Sequence, residues 1–126
     1  MSETITKFTS LVTSMSAHSL KDYPREACGI ITNTLEYIPC NNISAKPRTS
    51  FIIDPFMIQQ YEDNIWGFFH SHPGYKNPLP SEDDFKSTIF NEFKFIVGFN
   101  DNFYIYWMED NILRYERFEQ HHCKIQ

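Results

Sequence analysis

The stretch Phe69-His70-Ser71-His72-Pro73, followed by Pro80-Ser81-Glu82-Asp83-Asp84, is the most informative part of this 126-residue chain. The two histidines end an apolar run that begins at residue 65 and is typical of a buried strand. Side chains at positions i and i+2 of a strand point the same way, so we expect both imidazoles to face one point in space. Together with a carboxylate they would leave one position open on a tetrahedral Zn²⁺ ion, which is typical of catalytic rather than structural zinc sites.

The carboxylate after the histidines has two interpretations. Pro80 and Ser81 indicate the start of a helix over residues 82–93, with Ser81 as its N-cap. In the pattern Ser81-x-x-Asp84, Asp84 can cap this helix instead of binding a metal. Capping does not explain two of the chain's five histidines beside an apolar strand, so we favour the metal interpretation.

A further acidic residue, Glu26, lies upstream at the start of a short apolar strand. A zinc-bound water needs a proton acceptor, and a carboxylate beside the metal can accept that proton and later protonate a leaving amine. Nothing in the spacing ties Glu26 to the histidines, and a solvated acid at a strand end is the ordinary interpretation.

The combination of Pro-x-Glu26-x-Cys-Gly, His70-Ser-His72-Pro and Ser81-x-x-Asp84 resembles the JAMM motif of JAB/MPN-domain metalloproteases, over about residues 15–118. The resemblance implies that His70, His72 and Asp84 bind one zinc ion per chain. It also implies that Glu26 is the general acid/base and that Ser81 stabilises the oxyanion. The implied fold class is α/β: a single JAB/MPN (cytidine-deaminase-like) domain over residues 1–126, with a mixed central sheet flanked by helices.

The loop between His72 and the Ser-x-x-Asp unit is one residue longer than the commonest family spacing. We place the extra residue in the loop 74–79, which keeps Asp84 as the ligand, because a loop absorbs an insertion at little cost. The alternative is that the spacing from the histidines decides, in which case Asp83 is the ligand and Ser81 is displaced.

The implied reaction is hydrolysis of amide or isopeptide bonds in a protein or peptide substrate. The patterns at residues 39–42 and 51–55 are most similar to the JAB domain of lambda-like phage tail assembly proteins. They imply a role in tail-tip assembly or tail-protein processing, with phage tail-tip proteins or a separate cell-wall peptidase as partners. Two alternatives stay open: a bacterial isopeptidase for ubiquitin-like or sulfur-carrier proteins, and a non-catalytic tail or assembly subunit that retains the site.

Composition limits the other possibilities. The net charge of −5 and the lack of a long basic run argue against nonspecific nucleic-acid binding. No apolar stretch has the length of a membrane span, and the polar N-terminus is unlike a secretory signal. Three cysteines, an odd number without metal-ligand spacing, suit a reduced cytoplasmic setting, which for a phage protein means the host cytoplasm and the virion tail.

Hydrophobic periodicity and turn residues predict the remaining elements. We expect helices over residues 3–20 and 55–61, a strand pair over 27–33 and 35–40, a short strand over 50–54, and late strands over 95–99, 103–108 and 112–118. His121-His122-Cys123 lies in a C-terminal tail, residues 119–126. Tails are usually mobile, so we do not assign a metal site there.

Overall fold

The computed structural model describes residues 3–74, 78–81, 84 and 93–123 of the chain. Its strands are β1 (Cys28–Thr32), β2 (Tyr37–Cys40), β3 (Ile65–Ser71), β4 (Lys94–Phe99), β5 (Asn102–Glu109) and β6 (Ile112–Arg117). They form one six-stranded sheet in the order β2-β1-β3-β4-β5-β6. Only β3 and β4 pair in parallel, and the other neighbours are antiparallel. The predicted α/β fold with a mixed sheet flanked by helices is confirmed.

The two faces of the sheet carry different helices because alternate strand residues point to opposite sides. Helix α1 (Glu3–Asp22) packs Leu11 and Met15 into a cluster with Ile31 and Phe69. Helix α2 (Pro55–Tyr61) contributes to a second cluster, built on the neighbouring positions of the same strands. The histidine at position 70 follows Phe69 and therefore faces away from α1.

The two last hairpins turn at asparagine and aspartate residues with positive φ. Asn100 has φ of 59°, while Asp110 and Asn111 have φ of 51° and 62°. Asn and Asp tolerate this left-handed conformation better than other side chains, and two such residues in succession suit a tight antiparallel hairpin. These turns place β4, β5 and β6 side by side.

The strand predicted over residues 50–54 is wrong, because only an isolated bridge joins Ile53 to Asn42. The side chain of Asn42 takes the place of a partner strand: its amide N–H group donates to the Ser50 carbonyl at 2.9 Å, and its oxygen accepts from the Ile52 N–H at 3.1 Å. A side chain that bonds nearby backbone groups in this way competes with regular pairing. Asp54 then caps α2 by accepting from the Phe56 N–H at 3.0 Å.

Two predicted segments are covered only in part. The helix predicted over residues 82–93 lies outside the described residues, apart from Asp84 and Phe93. The C-terminal segment is described to Cys123, where residues Gln120–Cys123 form a 3₁₀ helix with Cys123 fully buried. The Phe118 ring just before it packs 5.2 Å from the ring of Phe8 on α1.

None of the helices in the described ranges is both long and apolar enough to cross a membrane.

Replacing the central aromatic side chain of the α1 face tests this packing. Phe69 is fully buried, and its ring meets the rings of Tyr37 and Phe103 at 5.8 and 5.7 Å. We expect Phe69→Ala to lower the free energy of unfolding by about 3–5 kcal/mol, because the change leaves a cavity. Phe56→Ala is the matched control, since Phe56 is 77% exposed; its effect should stay within about 0.5 kcal/mol. Equal losses in urea unfolding of the two variants would contradict this core assignment.

Candidate active site

The pairing of β1 with β3 brings an acidic residue opposite the second histidine. Cys28, the first residue of β1, lies opposite His70. The pairing continues at Ala27, whose carbonyl accepts from the Ser71 N–H at 2.9 Å and whose N–H donates to the Ser71 hydroxyl at 2.7 Å. Glu26 lies two residues before Cys28, and His72 lies two residues after His70. The same antiparallel register therefore brings Glu26 opposite His72. Because side chains alternate between faces, Glu26, His70 and His72 share the face that is turned away from α1.

Both neighbouring strands hold the end of β3 in place. Beyond the last residue of the strand, the His72 N–H donates to the carbonyl of Gly98 in β4 at 3.0 Å. The His70 ring stacks on Phe51, with centroids 4.4 Å apart and planes 16° apart, and meets Tyr106 edge-on at 6.3 Å. The backbone and these two aromatic rings together fix the direction of the imidazoles.

The imidazoles converge on the carboxylate of Asp84. The two Nε2 atoms of His70 and His72 are 3.1 Å apart. Asp84 places Oδ1 2.8 Å from the His70 nitrogen and Oδ2 3.4 Å from the His72 nitrogen. All three side chains are buried, with 2–7% of each residue exposed. Glu26 is buried as well, and one of its carboxylate oxygens lies within 4.8 Å of a ring nitrogen of each histidine.

This donor set fits a zinc ion better than it fits hydrogen bonds alone. For Asp84 to accept from both rings, each Nε2 would have to carry a proton, and the two protons would then face each other across the 3.1 Å gap. A cation between the three groups removes this conflict. With metal–ligand bonds of about 2.0–2.1 Å, neighbouring atoms in a tetrahedral site are about 3.3 Å apart, close to the separations found here. Two imidazoles with a carboxylate are also a typical zinc ligand set.

Ser81 and Asp84 form the reciprocal contact expected at a helix start. The Ser81 N–H donates to Asp84 Oδ2 at 2.7 Å, and the Asp84 N–H donates to the Ser81 hydroxyl at 3.3 Å. The capping and metal interpretations therefore do not exclude each other, because the same carboxylate reaches both the Ser81 backbone and the histidines. Asp83, the alternative ligand, lies outside the described residues.

A small polar pocket of about 170 Å³ opens onto these groups. Its walls come from three parts of the chain: Glu26, Thr49, Ser50, Phe51, His72, Ser81 and Asp84. His70 lies behind the wall, covered by Phe51. A reactant in the pocket would thus meet the carboxylate of Glu26, the His72 ring and the Ser81 hydroxyl together.

The environment favours the protonation states that a metal needs. Burial and the neighbouring His70 lower the pKa of His72 to about 4, so its ring is neutral at physiological pH. Burial by itself would raise the pKa of Asp84, but the hydrogen bond and charge of His70 hold it below its ordinary value. Neutral imidazole and ionised carboxylate are the forms that coordinate zinc.

The residue that orders the loop beside Glu26 is Asn42, a role that the sequence analysis missed. Its side-chain N–H group donates to the carbonyls of Glu26 and Ser50 at 3.0 and 2.9 Å, and to that of Pro47 at 3.3 Å. The Glu26 N–H also donates to the Pro47 carbonyl at 2.6 Å. One buried amide thus fixes the backbone of Glu26 and the loop that carries Phe51. An asparagine in a loop indicates a turn, and no local pattern identifies these distant partners.

Cys28, the nearest thiol in sequence to Glu26, is a core residue. It is fully buried, and burial raises its pKa to about 12, with the neighbouring Cys40 adding to the effect. A protonated, buried thiol is a poor nucleophile.

Comparison with known proteins identifies the family of this chain. A family model described as prokaryotic homologs of the JAB domain matches residues 8–106, from α1 into β5. This chain belongs to the prokaryotic JAB-domain family. The matched range contains Glu26, His70, His72, Ser81 and Asp84.

One curated relative and one solved structure are informative. The desampylase of Haloferax volcanii is 34% identical over 77 residues, in a match that covers 50% of this chain and 54% of that protein. The chain therefore spans about half the length of this curated relative. A protein from Desulfitobacterium hafniense with a known solution structure has a TM-score of 0.64 and 20% identity, covering 84% of this chain and 85% of that one. This second likeness supports the fold alone.

Substitution of two neighbouring aspartates tests which of them binds zinc. We expect Asp84→Asn to weaken zinc binding by more than about 100-fold, because removal of a direct ligand should exceed the 10–100-fold cost typical of its outer-shell partners. Asp83→Asn, the matched control at the next residue, should keep the wild-type affinity. Zinc affinity measured by competition with a chelating dye checks both variants. The reverse pattern would make Asp83 the ligand.

The lowered pKa of His72 predicts acid sensitivity of the zinc-free protein. The ordinary histidine pKa is 6.5, so the unfolded chain binds a proton that the folded protein resists until about pH 4. The free energy of unfolding should therefore fall as the pH decreases from about 6.5 to 4. A shift of this size corresponds to at most roughly 3 kcal/mol.

Urea unfolding of the zinc-free protein at pH 7 and pH 4.5 measures this effect, and His72→Gln should flatten it. His18, whose pKa is also lowered by burial, contributes in the same pH range, but equally in wild type and variant. His121→Gln, an exposed substitution, serves as the control. An unchanged pH dependence in His72→Gln would show that this ring titrates normally.

Proposed function

We propose that this JAB-domain protein is a zinc-dependent isopeptidase that releases ubiquitin-like or sulfur-carrier proteins from their conjugates. The observation that carries the proposal is the buried carboxylate of Glu26, within 4.8 Å of ring nitrogens of His70 and His72, on the wall of a polar pocket. The 34% identity to a protein named desampylase supports this substrate class.

In this proposal His70, His72 and Asp84 hold the zinc ion. When bound, the ion would lower the pKa of a water molecule and polarise the carbonyl of the scissile bond. Glu26 is left as the acidic group of the pocket that is not needed as a ligand, and its backbone is held on both sides by Pro47 and Asn42. A carboxylate fixed in this way can serve repeatedly as a proton carrier.

Glu26 would act twice in one turnover. It first accepts a proton from the attacking water, whose oxygen forms a bond to the carbonyl carbon. When the carbon–nitrogen bond breaks, Glu26 returns the proton to the leaving amine. Burial makes both transfers sensitive to position, because the carboxylate has little room to move.

Ser81 would stabilise the negative charge that develops on the carbonyl oxygen. Its hydroxyl oxygen accepts the Asp84 N–H, which directs the hydroxyl proton away from Asp84. The side chain lines the same pocket as Glu26, so this proton can be donated to a substrate oxygen.

The other two readings have less support. The relative named desampylase points to isopeptide chemistry rather than to phage tails, so tail-tip assembly and its partners stay a prediction. A non-catalytic subunit would not need a buried carboxylate beside a complete ligand set, since burying charged groups costs free energy. We further propose that residues 1–126 act as one catalytic domain. Its three free, buried cysteines are compatible with a reduced cytoplasmic setting.

Replacing Glu26 separates proton transfer from metal binding. Glu26→Gln keeps the size of the side chain but removes the base, and we expect turnover on a ubiquitin-like conjugate to fall on the order of 10²–10⁴-fold. Zinc content measured by atomic emission should stay at the wild-type value. Glu62→Gln, an exposed change in the short helix before β3, should leave both properties unchanged. Loss of zinc in Glu26→Gln would make Glu26 a ligand and overturn its role as base.

A further inference from the structure

A second cluster of histidine and glutamate side chains lies at the β6 edge of the sheet. Glu116 projects from the edge strand β6, while His121 and His122 lie on the C-terminal 3₁₀ helix. One ligand atom from each lies within 4.8 Å of the others. Three strand spacings separate β6 from β3, roughly 14 Å, so this group is distinct from the candidate active site.

His122 is held in the orientation that a metal ligand requires. Its ring stacks on Phe118 at 5.7 Å with planes 16° apart, and its side chain is only 11% exposed. Its Nδ1 lies 3.1 Å from the carbonyl oxygen of Glu119. The Glu119 N–H also lies within reach, 2.9 Å from the same Nδ1, so this nitrogen has a backbone donor and a backbone acceptor beside it. With a metal on Nε2, the ring would take the tautomer whose Nδ1 proton faces the Glu119 carbonyl, which is the usual support of a ligating histidine.

The other two groups complete a three-ligand set. Glu116 Oε1 lies 2.5 Å from His122 Nε2 and 3.6 Å from His121 Nε2. The Glu116 side chain is half exposed, so it can withdraw the short distance that an ion between these atoms needs. The carboxylate of Glu119 lies 3.8 Å from His121 Nδ1 and adds negative charge. In the described part of the chain, both glutamates form ion pairs only with these histidines, so no lysine or arginine there offsets their charge.

From this geometry we propose that Glu116, His121 and His122 form a second zinc site, independent of the hydrolase centre. Two imidazoles and a carboxylate select zinc or a similar borderline divalent ion rather than Mg²⁺ or Ca²⁺, which prefer oxygen ligands. The ion joins the edge strand to the C-terminal turn. Because Cys123 in that turn is buried against the α1 cluster, the site fastens the end of the described chain to the core.

Zinc stoichiometry of the metal-stripped protein tests the proposal. Titration with zinc alone, followed by equilibrium dialysis, should give two ions per wild-type chain and one in Glu116→Gln. Glu109→Gln, an exposed control at the end of the neighbouring strand, should keep two. A single ion in the wild type that Glu116→Gln keeps, or two ions in Glu116→Gln, overturns the second site.

Different substitutions test the two proposed zinc sites separately. Asp84→Asn removes the ion of the candidate active site and should leave the second ion, whose loss then requires Glu116→Gln as well. A wild-type chain with one ion that Glu116→Gln removes and Asp84→Asn keeps would uphold the second site and overturn the zinc hydrolase.

Thermal unfolding gives a second readout in the Asp84→Asn background. Zinc at a hundred times its dissociation constant should raise Tm by about 5 °C or more. Glu116→Gln and His121→Ala change exposed side chains, so both variants should fold and lose this increase. An equal increase in Tm in these two variants would contradict the proposal that zinc joins β6 to the C-terminal turn.

Discussion

The antiparallel pairing of β1 with β3 is the constraint on which the candidate site depends. The backbone pairing continues one residue before β1, where the Ser71 N–H donates to the Ala27 carbonyl. This continuation sets Glu26 opposite His72 and keeps both on the face of His70. A shift of one residue in this register would turn Glu26 toward α1 and separate its carboxylate from the histidines.

The parallel pairing of β3 with β4 adds the second half of the constraint. Parallel neighbours require a long connection, and here residues 72–93 supply it and carry Ser81 and Asp84. Asp84 in this connection contacts both imidazoles. Asp84 is held at its other side by the Ser81 N–H, which leaves the carboxylate little freedom. The same carboxylate thus contacts the Ser81 backbone and both histidines.

The match to the curated desampylase covers about half of this chain and half of that protein. Family membership rests on residues 8–106, which include every residue of the proposed hydrolytic centre. The second cluster, at Glu116, His121 and His122, lies beyond that matched range. Its assignment therefore draws only on the charge, burial and distances of this chain, and stands apart from what the family implies.

Local sequence patterns determined a large part of this protein. Periodicity and turn residues predicted α1 to within two residues and α2 at its observed bounds. The alternation of side chains along a strand predicted that His70 and His72 would point the same way. The motifs around Glu26, His70 and Asp84 indicated the family from the sequence alone. Tertiary structure decided the rest. Residues 50–54, predicted as a strand, form a loop that the Asn42 side chain holds. Glu26 lies beside His72, and the C-terminal histidines lie beside Glu116 of β6. These outcomes depend on hydrogen bonds and burial between residues far apart in the chain, and local propensity contains no information about such partners.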